Sequence, residues 1–229
     1  MLNYEVDPTV LQPLVPKSTE LDVWDGHSFL SLVGFLFLRT RVFGVPIPFH
    51  RNFEEVNLRF YVRRKTGEGW RRGVVFVKEV VPRTAIALVA RRLYNENYVA
   101  CPMNSYVHLP NELEGKPGSV AYHWTSPSHR NIVQAEFHGD PHYPAPGSEE
   151  EFITEHYWGY VVQRDGSSLE YRVEHPRWRV WRASSAKLDC DIEGCYGEQY
   201  HKALSQSPGS AFVAEGSEIA VLRGERIPA

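Results

Sequence analysis

The stretch Phe53-Glu54-Glu55-Val56-Asn57-Leu58-Arg59-Phe60-Tyr61-Val62 decides the fold class, because its side chains sort by a period of two. Val56, Leu58, Phe60 and Val62 fall on one side of an extended chain, and Glu55, Asn57, Arg59 and Tyr61 fall on the other. The chain then crosses Thr66-Gly67-Glu68-Gly69 and returns from Arg72 to Val80, where Val75 and Val77 alternate against Val74, Phe76 and Lys78. Two alternating runs joined by a glycine-bearing turn predict a long antiparallel hairpin over 52–80. The basic runs Arg63-Arg64-Lys65 and Arg71-Arg72 flank its tip, where charge solvates a turn rather than tracking nucleic acid.

The neighbouring segments extend the same pattern. Ser28 to Leu38 is nearly continuously apolar, as expected of a strand buried on both faces. Its apolar run is about half of what a membrane-spanning helix needs. Phe43 to Phe49 carries Pro46 and Pro48 and reads as extended or as an edge strand. Ser119 to Thr125 and Asn131 to His138 form a second antiparallel pair, and Tyr157 to Gln163 and Ser168 to Glu174 a third across the turn Asp165-Gly166. Arg177 to Ala183 continues the sheet, and Ser210 to Ala214 with Glu218 to Leu222 closes it.

Helical signals are few. Pro8 to Leu14 suits a short helix stopped by Pro16, and Pro82 to Tyr94 repeats Ala85, Ile86, Leu88, Val89 and Leu93 at helical spacing. Ser148 followed by Glu151 is a capping box that opens a short helix reaching Glu155 or His156. The class is therefore α+β, mainly antiparallel β with a few short helices, read as one domain over 1–229.

Composition narrows the function classes. Among 229 residues, 42% are hydrophobic and 23% charged, ample for a buried core. The net charge of −3 supplies no global attraction to nucleic acid or to an acidic membrane. Met1 to Pro8 lacks a secretory pattern, and three cysteines are too few for a disulfide framework, so a cytoplasmic location is expected. Cys190 and Cys195 read as structural or free thiols. No glycine-rich phosphate loop, nucleophile elbow or metalloprotease motif is present, and no cofactor is expected. His138, Asp140 and His142 alternate in a way that suits zinc, but a third or fourth ligand is not evident, so no metal site is assigned.

Six segments taken in order resemble the YqjF-like family of uncharacterised proteins. They are Tyr4-Glu5-Val6-Asp7-Pro8 through Leu14-Val15-Pro16, Trp24-Asp25-Gly26, Phe53 to Val62, the helical stretch Ala85 to Tyr94, Phe152-Ile153-Thr154-Glu155-His156-Tyr157, and Val173-Glu174-His175-Pro176-Arg177-Trp178. That family is related to acetoacetate decarboxylase, so the resemblance implies a cone-like, mostly antiparallel double sheet around a small-molecule cavity. Acetoacetate decarboxylase uses a Schiff-base lysine beside a second lysine, just after a helix resembling Ile86 to Leu93. Here the matching stretch reads Leu93-Tyr94-Asn95-Glu96-Asn97-Tyr98-Val99-Ala100-Cys101-Pro102, and no lysine occurs between Lys78 and Lys116. Lys78 is the one lysine in an apolar strand, and a strand-end amine reaching solvent is its plain reading.

The candidate ligand-binding residues follow from pattern and resemblance together. Glu55, Asn57 and Arg59 share a polar strand face on which the guanidinium would hold a ligand carboxylate. Tyr94 and Tyr98 lie near the helix end, and Glu155, Tyr157, His175 and Trp178 lie where a helix-to-strand junction meets the next hairpin. The expected ligand is a small, partly apolar organic acid or carbonyl compound, with no nucleic-acid or membrane partner; homo-oligomerisation is left open. The rival reading is a non-catalytic structural or protein-interaction module on the same scaffold.

Overall fold

The computed structural model describes residues 1–38, 41–42, 45–46, 52–84, 87–88, 95–111 and 115–227, with the backbone alone for 41–42 and 45–46. The strands are β1 (Leu2–Val6), β2 (Glu20–Leu21), β3 (Ser28–Phe37), β4 (Arg41–Val42), β5 (Val45–Pro46), β6 (Phe53–Thr66), β7 (Gly69–Val81), β8 (Tyr98–Ala100) and β9 (Met103–His108). They continue as β10 (Gly118–Thr125), β11 (Arg130–Phe137), β12 (Trp158–Val162), β13 (Ser168–Glu174), β14 (Val180–Asp189), β15 (Ser210–Ala214), β16 (Ala220–Val221) and β17 (Glu225–Ile227). The α-helices whose full extent lies among the described residues are short: α1 (Pro8–Leu11), α2 (Glu149–Thr154), α3 (Ile192–Cys195) and α4 (His201–Leu204). Among the described residues, no helix is long and apolar enough to cross a membrane.

One sheet runs in the order β16-β13-β12-β7-β6-β3-β1-β15-β14-β11-β10-β9, with β2 on β6, β8 on β7 and β17 on β13. Pairing is antiparallel except where β12 and β8 meet β7. The sheet packs on itself around a central cluster. Leu30, Leu32, Leu58 and Phe60 from one half meet Tyr122, Trp124 and Val133 from the other. Leu30, Leu32, Leu58 and Phe60 are wholly buried, each contributing about 1.5–3 kcal/mol of apolar burial. The two halves join through β1, which pairs with β3 on one side and with β15 on the other. Buried Asn3 ties this seam: it accepts from Ser31 Oγ at 2.7 Å and donates to Ser210 Oγ at 3.0 Å.

The expected hairpin is present and longer than its apolar core, and the capping box works as read, with Ser148 Oγ accepting from Glu151 N at 3.2 Å. Two expectations change. Ser28–Phe37 is buried on both faces only in its first half, and Leu36 reaches solvent. The strand expected from Arg177 begins at Val180 and runs to Asp189. In the helix expected over 82–94, residues 84, 87 and 88 are helical, and most of the rest, Tyr94 included, lies outside the described residues. Much of the stretch from Phe43 to Phe49 lies outside them too.

The third change matters most for function. Between β6 and β7, Leu58 pairs with Lys78 while Arg59 pairs with Phe76, so Val77 is an extra residue in a β-bulge. One added residue reverses the parity of everything after it. Lys78 therefore shares the central face with Val75, and its ammonium donates to the Cys195 carbonyl instead of reaching solvent. Glu79 is turned to the opposite face. Asn97 pins the bulge, donating from Nδ2 to Val77 O at 3.0 Å while its own carbonyl accepts from Glu79 N at 3.0 Å. Removing the side-chain bond with Asn97→Ala should cost roughly 1 kcal/mol, measured as a lower midpoint in urea unfolding at unchanged m; an unchanged midpoint would show that the bulge needs no such tie.

Candidate functional site

The face opposite the central cluster carries two polar neighbourhoods. In the first, β6 presents Glu55 and Asn57, and the bulge brings Glu79 of β7 directly across from Asn57. Tyr98 of β8 is the next residue over, in register with Glu79. Glu96 lies just before that strand, after a turn in which Asn95 takes a left-handed φ of 61°. Tyr171 reaches in from β13 across Gly159, where a Cβ would stand 2.1 Å from the phenol ring, so only glycine leaves the room.

These groups are hydrogen-bonded to one another. Asn57 Nδ2 donates to Glu55 Oε1 at 3.0 Å, Tyr98 OH to Glu55 Oε2 at 3.4 Å, and Tyr171 OH to Glu96 Oε1 at 2.6 Å. Glu79 Oε2 and Asn57 Oδ1 are buried without a hydrogen-bond partner. Among the described residues, no basic side chain forms an ion pair with any of the three carboxyls. Burial therefore governs their ionisation, and close approach of the acids adds to it. The Glu55 carboxyl is pushed up to about 8, Glu79 well above the usual range, and Glu96 upward as well. Burial likewise raises the Tyr98 and Tyr171 phenols. At neutral pH the cluster holds protonated carboxyls, which can both donate and accept hydrogen bonds.

The consequence for stability has a definite sign. An acid whose pKa rises on folding stabilises fully below its unfolded value and loses that contribution as pH climbs toward the folded one. For Glu55 the window runs from 4.5 to about 8. Glu55→Gln should remove roughly 3–5 kcal/mol of this pH-dependent loss, read as a flatter stability-against-pH curve in chemical denaturation. Parallel curves for the two proteins would contradict a buried neutral Glu55.

The second neighbourhood surrounds Arg59. Its Nη2 donates to Ile153 O at 3.2 Å and lies 3.7 Å from Met1 Sδ, while Nε is buried without a partner. Among the described residues, no carboxylate pairs with this guanidinium. His156 is 7% exposed and packs between Tyr61 and Phe152, at centroid distances of 4.6 and 5.7 Å. Its Nε2 stands 4.0 Å from an Asp22 oxygen that already accepts from Arg72 Nε at 2.6 Å. Burial, with Arg72 and Arg59 nearby, drives the imidazole pKa well below its usual value, so His156 is neutral.

The remaining expected residues form a third group beyond His156. Tyr157 donates to Glu155, and Arg177 Nε approaches that carboxylate at 3.8 Å. His175 is stacked between Tyr157 and Trp178, with centroids 4.7 and 4.1 Å away, and Trp178 Nε1 donates to Ser217 at 2.8 Å. The junction and the returning hairpin thus do meet, as their order along the chain implied. His142 pairs with Glu150 at 2.9 Å, and among the described residues no cluster of three metal-ligating side chains is found.

Glu79, Glu96, Tyr171 and His156 were not among the expected site residues. Glu79 followed an alternation that the bulge breaks, and a bulge at Val77 has no signature in an unbroken run of strand-forming residues. Glu96 and Tyr171 meet across 75 positions of sequence.

With this geometry established, comparison with known proteins gives the family. A model described as an uncharacterized conserved protein, DUF2071, matches residues 1–218. The chain belongs to this family. It is 26% identical over 197 residues to the uncharacterized protein YqjF of Bacillus subtilis, covering 83% of this chain and 74% of that one. Solved structures with the same fold include acetoacetate decarboxylase from Legionella pneumophila, at a TM-score of 0.61 and 14% identity, covering 99% of this chain and 83% of that one. The enduracididine biosynthesis enzyme MppR, complexed with pyruvate, gives 0.61 at 11% identity over 98% and 81%. An acetoacetate decarboxylase-like enzyme from Sphingomonas wittichii gives 0.59 at 12% identity over 99% and 89%. The mainly antiparallel β architecture of this DUF2071 member is thus the acetoacetate decarboxylase-like fold.

Proposed function

We propose that this DUF2071 protein binds a small, partly apolar organic acid or carbonyl compound, and does so without the Schiff-base lysine pair of acetoacetate decarboxylase. The observation that carries the reading is Arg59, a part-buried guanidinium with a free Nε and no carboxylate among the described residues to neutralise it. Such a group is costly unless an anion completes it, and its planar fork suits a carboxylate. Asn57 and Glu55 continue the same strand face from Arg59, at about 6.6 Å per two residues, and lead to Tyr98. A protonated carboxyl among Glu55, Glu79 and Glu96 would offer a hydrogen bond to a carbonyl oxygen. Glu155, Tyr157, His175 and Trp178 would close the far side of the Arg59 neighbourhood, with His156 between.

A structural neighbour supports the ligand class, because MppR is complexed with pyruvate. The sequence stretch matching the decarboxylase nucleophile places Tyr98 among the carboxyls and contains no amine able to form an imine. Lys78 stands on the other face, engaged by the Cys195 carbonyl.

Thermal-shift screening with small monocarboxylates and 2-oxo acids should return stabilising hits that Arg59→Gln abolishes and Arg59→Lys weakens at least tenfold, while borohydride reduction in their presence leaves the protein mass unchanged. Hits that survive Arg59→Gln would remove the anion assignment, and a reduced adduct would restore a Schiff base. No hits at all would favour the structural or protein-interaction module.

A further inference from the structure

A separate group of side chains lies on the central face, unconnected to the proposed ligand site. Cys101 from one part of the chain and Cys190 and Cys195 from another pack against the same core cluster. Cys190 and Cys195 are related in a particular way. Asp191 is the N-cap of α3, its carboxylate accepting from Gly194 N at 2.9 Å. Cys190 is therefore the residue before the cap, and Cys195 is the fourth residue of the helix. These are the two positions whose side chains close over a helix start as a hydrophobic staple, here built from two thiols.

Their surroundings differentiate them. The proximity of the two thiols, with burial, raises the Cys190 pKa, and the same proximity holds Cys195 down to about 6. Trp124 Nε1, buried without a hydrogen-bond partner, and the Lys78 ammonium both favour a thiolate at Cys195. Burial and the Asp191 carboxylate oppose it, and Asn131 Oδ1 accepts from Cys195 Sγ at 3.7 Å and from Asp191 N at 2.9 Å. Cys190 retains partial exposure, whereas Cys195 is buried.

We propose that Cys190 and Cys195 form a reversible disulfide on exposure to hydrogen peroxide, converting the staple at the start of α3 into a covalent one. The Cys195 thiolate attacks one peroxide oxygen, the O–O bond breaks, and hydroxide leaves to become water, giving a sulfenic acid. The Cys190 sulfur then displaces hydroxide from the Cys195 sulfur, and its proton completes the second water. Two electrons pass from the thiol pair to the peroxide, and a dithiol restores both thiols.

Peroxide treatment of the intact protein followed by thiol titration after unfolding should lower the count from three to one, with dithiothreitol restoring three. The peptide carrying both residues should lose two hydrogens and resist alkylation. Cys101→Ser should leave this reaction unchanged, and Cys190→Ala should replace the disulfide with a sulfenic acid trapped by dimedone at Cys195. Three surviving thiols, a bond to Cys101, or direct passage to sulfinic acid with Cys190 present would overturn the proposal. Because Cys190→Ala alters only the partly exposed member, its result does not depend on replacing the buried thiol.

Discussion

A single inserted residue, Val77, sets the chemistry of both faces of this sheet. Without it, Lys78 would project from the face that carries Asn57, and Glu79 would be driven into the apolar centre beside Val56. With it, the amine goes to a carbonyl in the core and the carboxylate goes to the other acids. A bulge normally leaves a backbone group without a ladder partner. Here Asn97 supplies that partner and, through the same residue's carbonyl, fixes where Glu96 and Tyr98 enter.

The carboxyl cluster is a costly arrangement that the protein keeps. Three acids and two phenols under low exposure, with no cation in ion-pair contact among the described residues, stay compatible with folding only by holding protons. Arg59 presents the complementary problem a short distance along the same strand: a fixed positive charge near a carbonyl, a thioether and the Tyr61 ring, with no carboxylate paired to it among the described residues.

Much of the fold was legible because it rests on local pattern. The alternation from Val56 to Val62, the glycine turn and the Ser148 capping box are decided within a few residues, and each appears where the sequence implied it. β1 and β8 were not legible, since neither Leu2–Val6 nor Tyr98–Ala100 has enough residues to show a period, and each is a strand only because a neighbour offers it an edge. The same division holds for the site. Glu55, Asn57 and Tyr98 could be picked out from strand parity and family resemblance, and they do converge. Glu79 and Lys78 could not be assigned to faces, because parity arguments carry across a strand only while no residue is added. Tyr171 meets Glu96 through tertiary packing over a glycine, a relationship that no spacing encodes.

The seam at β1 has a consequence for the order of assembly. The β6–β7 and β10–β11 hairpins close short loops and can pair early, because little chain entropy opposes them. Leu2 pairs with Ala211, a separation of 209 positions (211 − 2), so the last ladder connecting the two halves forms against the largest loop in the molecule. During synthesis β1 emerges first and waits for β15, with the open edge of β3 as its interim partner. The sheet's continuity therefore belongs to the whole chain rather than to either half, and a polypeptide cut short before residue 210 would keep its hairpins while losing the join between them.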